Sequence, residues 1–364
     1  MSRKPITEGD LQHINDAVGS RRELDGAIVI VTGCAGFLGH YLTQYLCRYA
    51  GAHGLRRVIG LDNFMLGKPS WLLRLAEEFP QLLRLCSFDI SRDRLEEIEE
   101  AQDARYVIHA ASIASPTFYR QFSLETIDAN VWGLRRLLDF YRGSEALRGL
   151  LFFSSSEIYG DPAPEFIPTA EDYRGNVACV GPRACYDESK RFGETLCDVF
   201  AKIHGMPIIV ARPFNNYGPG MRPGDQRLPA DLADSIVAER DIDLLSDGSP
   251  TRTYCYVADA VAGYILCLLH GRYDCFNIGA DGPEISVRDL AEIYRRSGQE
   301  IFGYAGKINY RPSRDQEYLT DNPNRRCPDI SKARKELGYD PKIEISEGVR
   351  RHLEFLRHVR EQEK

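Results

Sequence analysis

Long apolar runs are missing from this 364-residue chain. None approaches the ~20 residues that a membrane-crossing helix requires, so no span is expected. Residues Met1 to Arg22 are polar and hold no apolar core of a secretory signal. A surplus of positive charge is missing too. There are 46 Lys and Arg against 53 Asp and Glu, a formal net charge of -7, which speaks against a broad nucleic-acid-binding face. The ten cysteines include no CxxC pair and no tight Cys/His cluster, so no metal centre is expected. Several sit in apolar settings, such as Cys267 in YILCLL. A reduced, buried thiol suits such a place, and a reducing cytoplasm is the expected location. Internal repeats and low-complexity linkers are also absent.

What is present is an ordinary globular composition, 43% hydrophobic and 27% charged, in a chain long enough for a large core. Residues 27–31 read AIVIV, a continuous apolar run that marks a strand buried on both faces. Similar runs at 57–61, 83–88, 106–110, 150–153 and 207–211 predict further strands, with amphipathic stretches between most of them. This alternation predicts an α/β fold: a doubly wound parallel Rossmann sheet with a smaller C-terminal α/β substrate-binding subdomain. The expected divisions are an N-terminal extension over 1–24, with room for one helix, and a dinucleotide-binding domain over 25–213 with a short return near 252–275. A substrate subdomain is expected over 214–251 and 276–360. The Gly- and Pro-rich NNYGPGMRPGDQRLP reads as a loop where the texture changes. Ser286 and Asp289 have capping-box spacing, and a last helix is expected from near Ser346.

The first strand runs into Thr32-Gly33-Cys34-Ala35-Gly36-Phe37-Leu38-Gly39. Glycines at 33, 36 and 39 let the backbone turn tightly and approach a pyrophosphate. The following helix would offer free N–H groups to that anion. Asp62, followed by Asn63, ends the second strand roughly 20 residues further on, where an acid accepts the adenosine ribose hydroxyls. It favours NAD over NADP. Asp89 and Ile90 follow the third strand, placed to meet the adenine, and Ala110 and Ala111 follow the fourth, small enough for the cofactor to pass. His109 reads as a packed strand-end residue rather than a catalyst.

The fifth strand ends in Ser154-Ser155-Ser156-Glu157. Downstream comes Tyr186-Asp187-Glu188-Ser189-Lys190, a pair four apart that shares one helix face. With Lys190 near it, the Tyr186 phenol is expected to fall from ~10 towards neutrality and to act as a base on a substrate hydroxyl.

The glycine turn, Asp62, the serine-rich strand end, the Tyr–Lys pair and RPFNNYGPG together resemble the extended short-chain dehydrogenase/reductases that act on nucleotide sugars. The resemblance covers about residues 26 to 357. Within them the chain is similar to the UDP-glucuronate decarboxylases, on ASPTFY (114–119), SSSEIYGDP (154–162), GPRACYDESKR (181–191), RPFNNYGPGMR (212–222), GSPTRTY (248–254) and NPNRRCPDI (322–330). Ser155 stands where those enzymes have Thr, Ser189 where they have Gly, and Cys34 at a position that is commonly Gly. The resemblance implies that Tyr186 is the base for C4 oxidation and that Lys190 orients the nicotinamide ribose. It places Ser155 at the C4 hydroxyl, Ser156 and Glu157 near C5, and makes Arg252 the active-site arginine of the TR motif. Tyr119 would touch the sugar. Asn215, Arg227 and Arg326 would hold the nucleotide and its phosphates, and at least one of Arg311, Arg314, Arg325 and Arg326 is expected at the pyrophosphate.

The implied reaction is decarboxylation of UDP-glucuronate to UDP-xylose through a 4-keto sugar, with NAD regenerated within the site. A 4,6-dehydratase and a 4-epimerase remain as alternatives, and a non-enzymatic NAD-binding module as a third. The resemblance also implies a homodimer joined by a four-helix bundle, built from a helix over about 124–144 and the helix of Tyr186. Leu134, Leu137 and Leu138 fit either that interface or the chain's own core.

Overall fold

The computed structural model describes residues 6–311, 320 and 323–362. Seven strands, Ile28–Thr32, Arg57–Asp62, Leu83–Ser87, Tyr106–His109, Gly149–Phe153, Ile208–Pro213 and Asp274–Ile278, form one sheet. Its order is seventh, sixth, fifth, fourth, first, second, third, and every neighbouring pair is parallel. All five residues of the central first strand are buried. Ile28 and Ile30 enter one core with Ile59, Leu137 and Phe152. Val29 and Val31 enter the other with Tyr45, Ile209 and Ile265. Strand geometry sends alternate side chains to opposite faces, and two covered faces explain the unbroken apolar run. The six strands expected from the sequence are present. The seventh, DCFNI, was not expected and straddles the division placed at 275/276.

The second layer rests on short pairings. Thr251–Arg252 lies between Ile285–Ser286, antiparallel, and Arg325–Arg326, parallel, with Arg252 directly beside Arg326. Ile242–Leu244 pairs with Ile308–Tyr310. The helices Leu228–Val237, Val287–Phe302 and Ile345–Gln362 pack around these strands. Ser286 does cap its helix. Its hydroxyl accepts from the Asp289 N–H at 3.1 Å, and the Asp289 carboxylate accepts from the Ser286 N–H at 3.2 Å.

The N-terminal extension is part of the core. The helix Ile6–Val18 buries Asp10, Leu11, Ile14 and Val18. Asp10 accepts hydrogen bonds from the Tyr41 hydroxyl at 2.7 Å, the Tyr256 hydroxyl at 2.6 Å and the Arg351 guanidinium at 2.8 Å. Tyr41 lies on the helix Phe37–Arg48, Tyr256 caps the helix Val257–Leu268, and Arg351 lies on the last helix. One carboxylate thus ties the dinucleotide domain to the end of the chain. Leu134, Leu137 and Leu138 are fully buried in the chain's own core, so they do not serve a dimer face. No helix of the described residues is long and apolar enough to cross a membrane.

Candidate active site

A groove of about 1630 Å³ runs along the C-terminal ends of the strands. A single small ligand typically needs ~300–1,000 Å³, so this one has room for two large molecules. At one end lies the glycine turn. Gly33 has φ +71°, and a Cβ there would stand 2.7 Å from the Ala110 carbonyl oxygen; one on Gly39 would stand 2.4 Å from the Gly33 oxygen. Only glycine permits the helix Phe37–Arg48 to start so close to the turn. No side chain caps that helix, and Gly36, Phe37, Leu38 and Gly39 line the groove, so its free N–H groups are available to an anion.

Asp62 is fixed at the groove wall, accepting from the Ala35 N–H at 3.0 Å and the Phe64 N–H at 2.8 Å. Asn63 accepts from the Met65 N–H at 3.1 Å beside it. Asp89 accepts from the Ser91 N–H at 2.9 Å and its hydroxyl at 2.6 Å, which ties the carboxylate into its own turn. Ile90, Ala110 and Ala111 complete the walls. His109 is buried, 2.9 Å from the Thr32 hydroxyl and stacked on Phe152, a packing residue as expected. The glycine cradle, the uncapped helix end, the strand-end carboxylate and the small walls fit NAD.

A strap crosses this groove. Arg222 donates to the Leu66 carbonyl at 2.6 Å and to the Ala35 carbonyl at 3.2 Å. On the other side the Ser115 hydroxyl donates to the Asp225 carbonyl at 2.6 Å, and Thr117 bonds Gln226. Arg227 pairs with Asp225 at 2.8 Å and stands over the Phe37 ring at 5.2 Å. The sequence showed a loop here but gave no sign of the latch, because the acceptors are backbone carbonyls far along the chain.

Tyr186 and Lys190 lie one turn apart on the helix Ala184–His204 and are both buried. The Lys190 ammonium donates to the Phe153 carbonyl at 2.7 Å and stands 5.6 Å from the Tyr186 ring centroid. The expected lowering of the phenol does not occur. Burial pushes Tyr186 up to about 12, against the hydrogen bond from Ser155 that pulls it down. Burial likewise pushes Lys190 down to about 7. Desolvation decides both shifts because each charged form loses water on burial.

Around the sugar end stand three arginines. Arg326 donates to Glu157, to the Ser156 hydroxyl at 3.1 Å and to the Gly160 carbonyl at 3.3 Å. Two of its nitrogens are thus turned to the Ser156–Gly160 turn. Arg183 holds the other Glu157 oxygen. Burial alone would raise the Glu157 carboxyl, but the Arg183 and Arg326 guanidiniums outweigh it and hold it at about 2. Arg252 donates to the carbonyls of Thr251, Pro323 and Asn324. Burial, then the neighbouring Arg326, lower its guanidinium to about 10. Ser155 accepts from the Glu157 N–H at 3.2 Å and so orients the start of this turn. Tyr119 is stacked on Tyr186, and its buried hydroxyl makes no hydrogen bond among the described residues. Asn215, with φ +41°, donates to the Thr253 carbonyl at 2.9 Å on the same wall. Arg311 lies 3.3 Å from Asp243, and Arg325 lies 2.8 Å from Glu284. Arg314 lies outside the described residues.

Sequence reasoning missed Arg183, whose partner sits 26 residues away. It also missed Asn130, on a π-helical turn, which donates to the Ser189 hydroxyl at 2.9 Å; Ser189 in turn donates to the Tyr186 carbonyl at 2.9 Å. Among the described residues, the cluster that could hold a metal ion is His270, Asp274 and Glu336. There Lys332 and Arg272 already occupy the carboxylates.

The geometry agrees with the relatives of the chain. UDP-glucuronic acid decarboxylase 1 of Arabidopsis thaliana is 33% identical over 90% of this chain and 69% of its own length. UDP-glucuronic acid decarboxylase 1 of Xenopus tropicalis is 31% identical over 92% of this chain and 73% of its own. Among solved structures, UDP-glucose 4-epimerase from Thermotoga maritima, with UDP-glucose, superposes with a TM-score of 0.75 at 26% identity, covering 91% of this chain and 99% of that one. UDP-glucuronic acid 4-epimerase from Bacillus cereus, with UDP-glucuronic acid and NAD, shares the fold, with a TM-score of 0.75 at 24% identity over 91% and 99%. The model of the NAD dependent epimerase/dehydratase family matches residues 29–279. A Rossmann sheet, a groove that fits NAD and a Tyr–Lys pair at its centre thus meet in one chain, which belongs to the NAD dependent epimerase/dehydratase family.

Proposed function

We propose that this enzyme decarboxylates UDP-glucuronate to UDP-xylose. The observation that carries the reading is the charge at the sugar end: Arg183, Arg252 and Arg326 stand around Glu157 and Asp187. Three guanidiniums against two carboxylates leave one positive charge for one more carboxylate, and a uronate brings it. The similarity to UDP-glucuronic acid decarboxylases supports the same substrate.

Tyr186, hydrogen-bonded by Ser155, is placed to take the proton of the C4 hydroxyl once its own phenol proton has left against the burial that raises it. NAD, when bound, would supply the acceptor, and afterwards the donor, of a hydride at C4. The C4 ketone lies β to the carboxylate, so loss of CO₂ leaves an enolate. Arg252 and Arg326 offset that negative charge. Glu157, held ionised by its arginines, is suited to orienting a water that protonates C5 and poorly suited to pulling a proton from C5. This weighs against a 4,6-dehydratase, which needs a base at that point.

The enzyme acts as a homodimer in the cytoplasm. Its helix Ala184–His204 turns Tyr186 and Lys190 inward and exposes Phe192, Val199 and Ile203, while Leu124 and Trp132 are exposed nearby in sequence to the buried Asn130. An apolar stripe of this kind seats a second copy.

The test is incubation with UDP-glucuronate and NAD, with products followed by mass spectrometry and NMR. Loss of CO₂ with the C4 hydroxyl restored is the expected result. An unchanged mass with inverted C4 would mean a 4-epimerase, and loss of water from a neutral nucleotide hexose a dehydratase.

A further inference from the structure

The three arginines at the sugar end are tethered unequally. Arg252 is held by three backbone carbonyls. Arg326 is held by Ser156 and Gly160 besides Glu157. Arg183 is held by Glu157, and its buried Nε makes no hydrogen bond among the described residues, lying 3.7 Å from an Asp187 oxygen. Arg183 also sits at the start of the catalytic helix, where its carbonyl accepts from the Tyr186 N–H at 3.0 Å. Arg183 is thus three positions before the proposed base and lines the same groove. The unpartnered hydroxyl of Tyr119 faces that cluster, feeling both Arg183 and Glu157.

We infer that the Arg183–Glu157 ion pair is exchangeable, and that the carboxylate of an incoming uronate takes Arg183 over from Glu157. Arg183 is then the residue that selects uronates over neutral sugars. The inference rests on the uronate reading given above. Two carboxylates can trade one guanidinium with little change in the number of charge-assisted hydrogen bonds. A hydroxymethyl group, or the bare C5 of a pentose, has no charge to offer. Such a sugar would leave the pair closed, or leave a buried charge unpaired, which is costly. The free Nε gives the departing or arriving carboxylate a second donor on the same planar fork. Arg252 and Arg326 remain in place during the exchange because their tethers do not involve the substrate.

The experiment measures dissociation constants for UDP-glucuronate and UDP-xylose by calorimetry on the full chain with NADH in place of NAD, so that oxidation at C4 cannot begin. The variants are Arg183→Gln and Arg183→Lys. Arg183→Gln should weaken UDP-glucuronate about 10- to 100-fold, the range for a lost hydrogen bond to a charged group. UDP-xylose should stay within about threefold by the same reasoning, since it has no carboxylate to lose. Arg183→Lys should recover part of the preference. A variant that weakens both sugars equally, or that leaves UDP-glucuronate unchanged, overturns the role of Arg183 while the substrate reading stands. A wild-type protein that binds UDP-glucuronate no better than UDP-xylose overturns the selectivity alone, whereas one that does not bind UDP-glucuronate at all overturns the substrate reading, and this inference with it.

Discussion

Tyr119 lies almost flat on Tyr186, with ring centroids 4.9 Å apart and planes 14° from parallel. The stack fixes the ring plane of the proposed base and shields it from water. Tyr186→Phe should lower kcat about 10²- to 10⁴-fold, the usual contribution of a positioned base, while the protein still binds NAD by fluorescence titration. Tyr119→Phe removes a buried hydroxyl that has no partner among the described residues. It should change stability by less than about 0.5 kcal/mol and show its effect in the KM for the nucleotide sugar. An unchanged KM would show that this hydroxyl does not touch the sugar.

Lys190 carries a pH-dependent cost. Its buried ammonium titrates at about 7, against ~10.4 in an unfolded chain. Between those values the unfolded state binds more protons, so stability rises with pH, and below 7 the cost is fully present. Lys190→Met should therefore gain more stability at pH 6 than at pH 9, by on the order of 1 kcal/mol or more. Denaturant titrations of both proteins at the two pH values check the sign.

The strap predicts slow release of the cofactor. Arg222→Ala removes the two bonds to Ala35 and Leu66 and should speed NAD dissociation about 10-fold, read by exchange against labelled NAD. An unchanged rate would mean that the strap does not limit exit.

Ile203 is 69% exposed on the helix that carries Tyr186. Ile203→Glu places a charge on the proposed dimer stripe. It should shift the protein from dimer to monomer in sedimentation velocity with little loss of Tm, because the side chain lies outside the chain's own core. A wild-type monomer would refute the dimer directly.

The sheet was readable because both its faces are covered: AIVIV at 27–31 needs no alternation to be recognised, and the strand runs from Ile28 to Thr32. The seventh strand, DCFNI, opens on a partly exposed aspartate and cysteine and is too mixed to stand out from its surroundings. Pairings two residues long, such as Asn216–Tyr217 with Cys255–Tyr256, leave no periodicity to detect. Within the site, Tyr186, Lys190, Glu157 and Asp62 were visible because short motifs fix their spacing. Arg183 and Arg222 were not, since their meaning depends on partners that only the folded backbone brings near. The pKa of Tyr186 was misjudged for a related reason: pairing can be read from spacing, but burial cannot.

The bond between Asp10 and Arg351 joins residues 341 positions apart, and this sets an order of events on the ribosome. At roughly 5–20 residues per second, Asp10 emerges tens of seconds before its guanidinium partner exists. Docking the first helix before then would bury a carboxylate without its cation, which is costly. A chain released short of residue 351 is expected to hold that helix less firmly, leaving the amphipathic face of Leu11, Ile14 and Val18 open to chaperones and proteases.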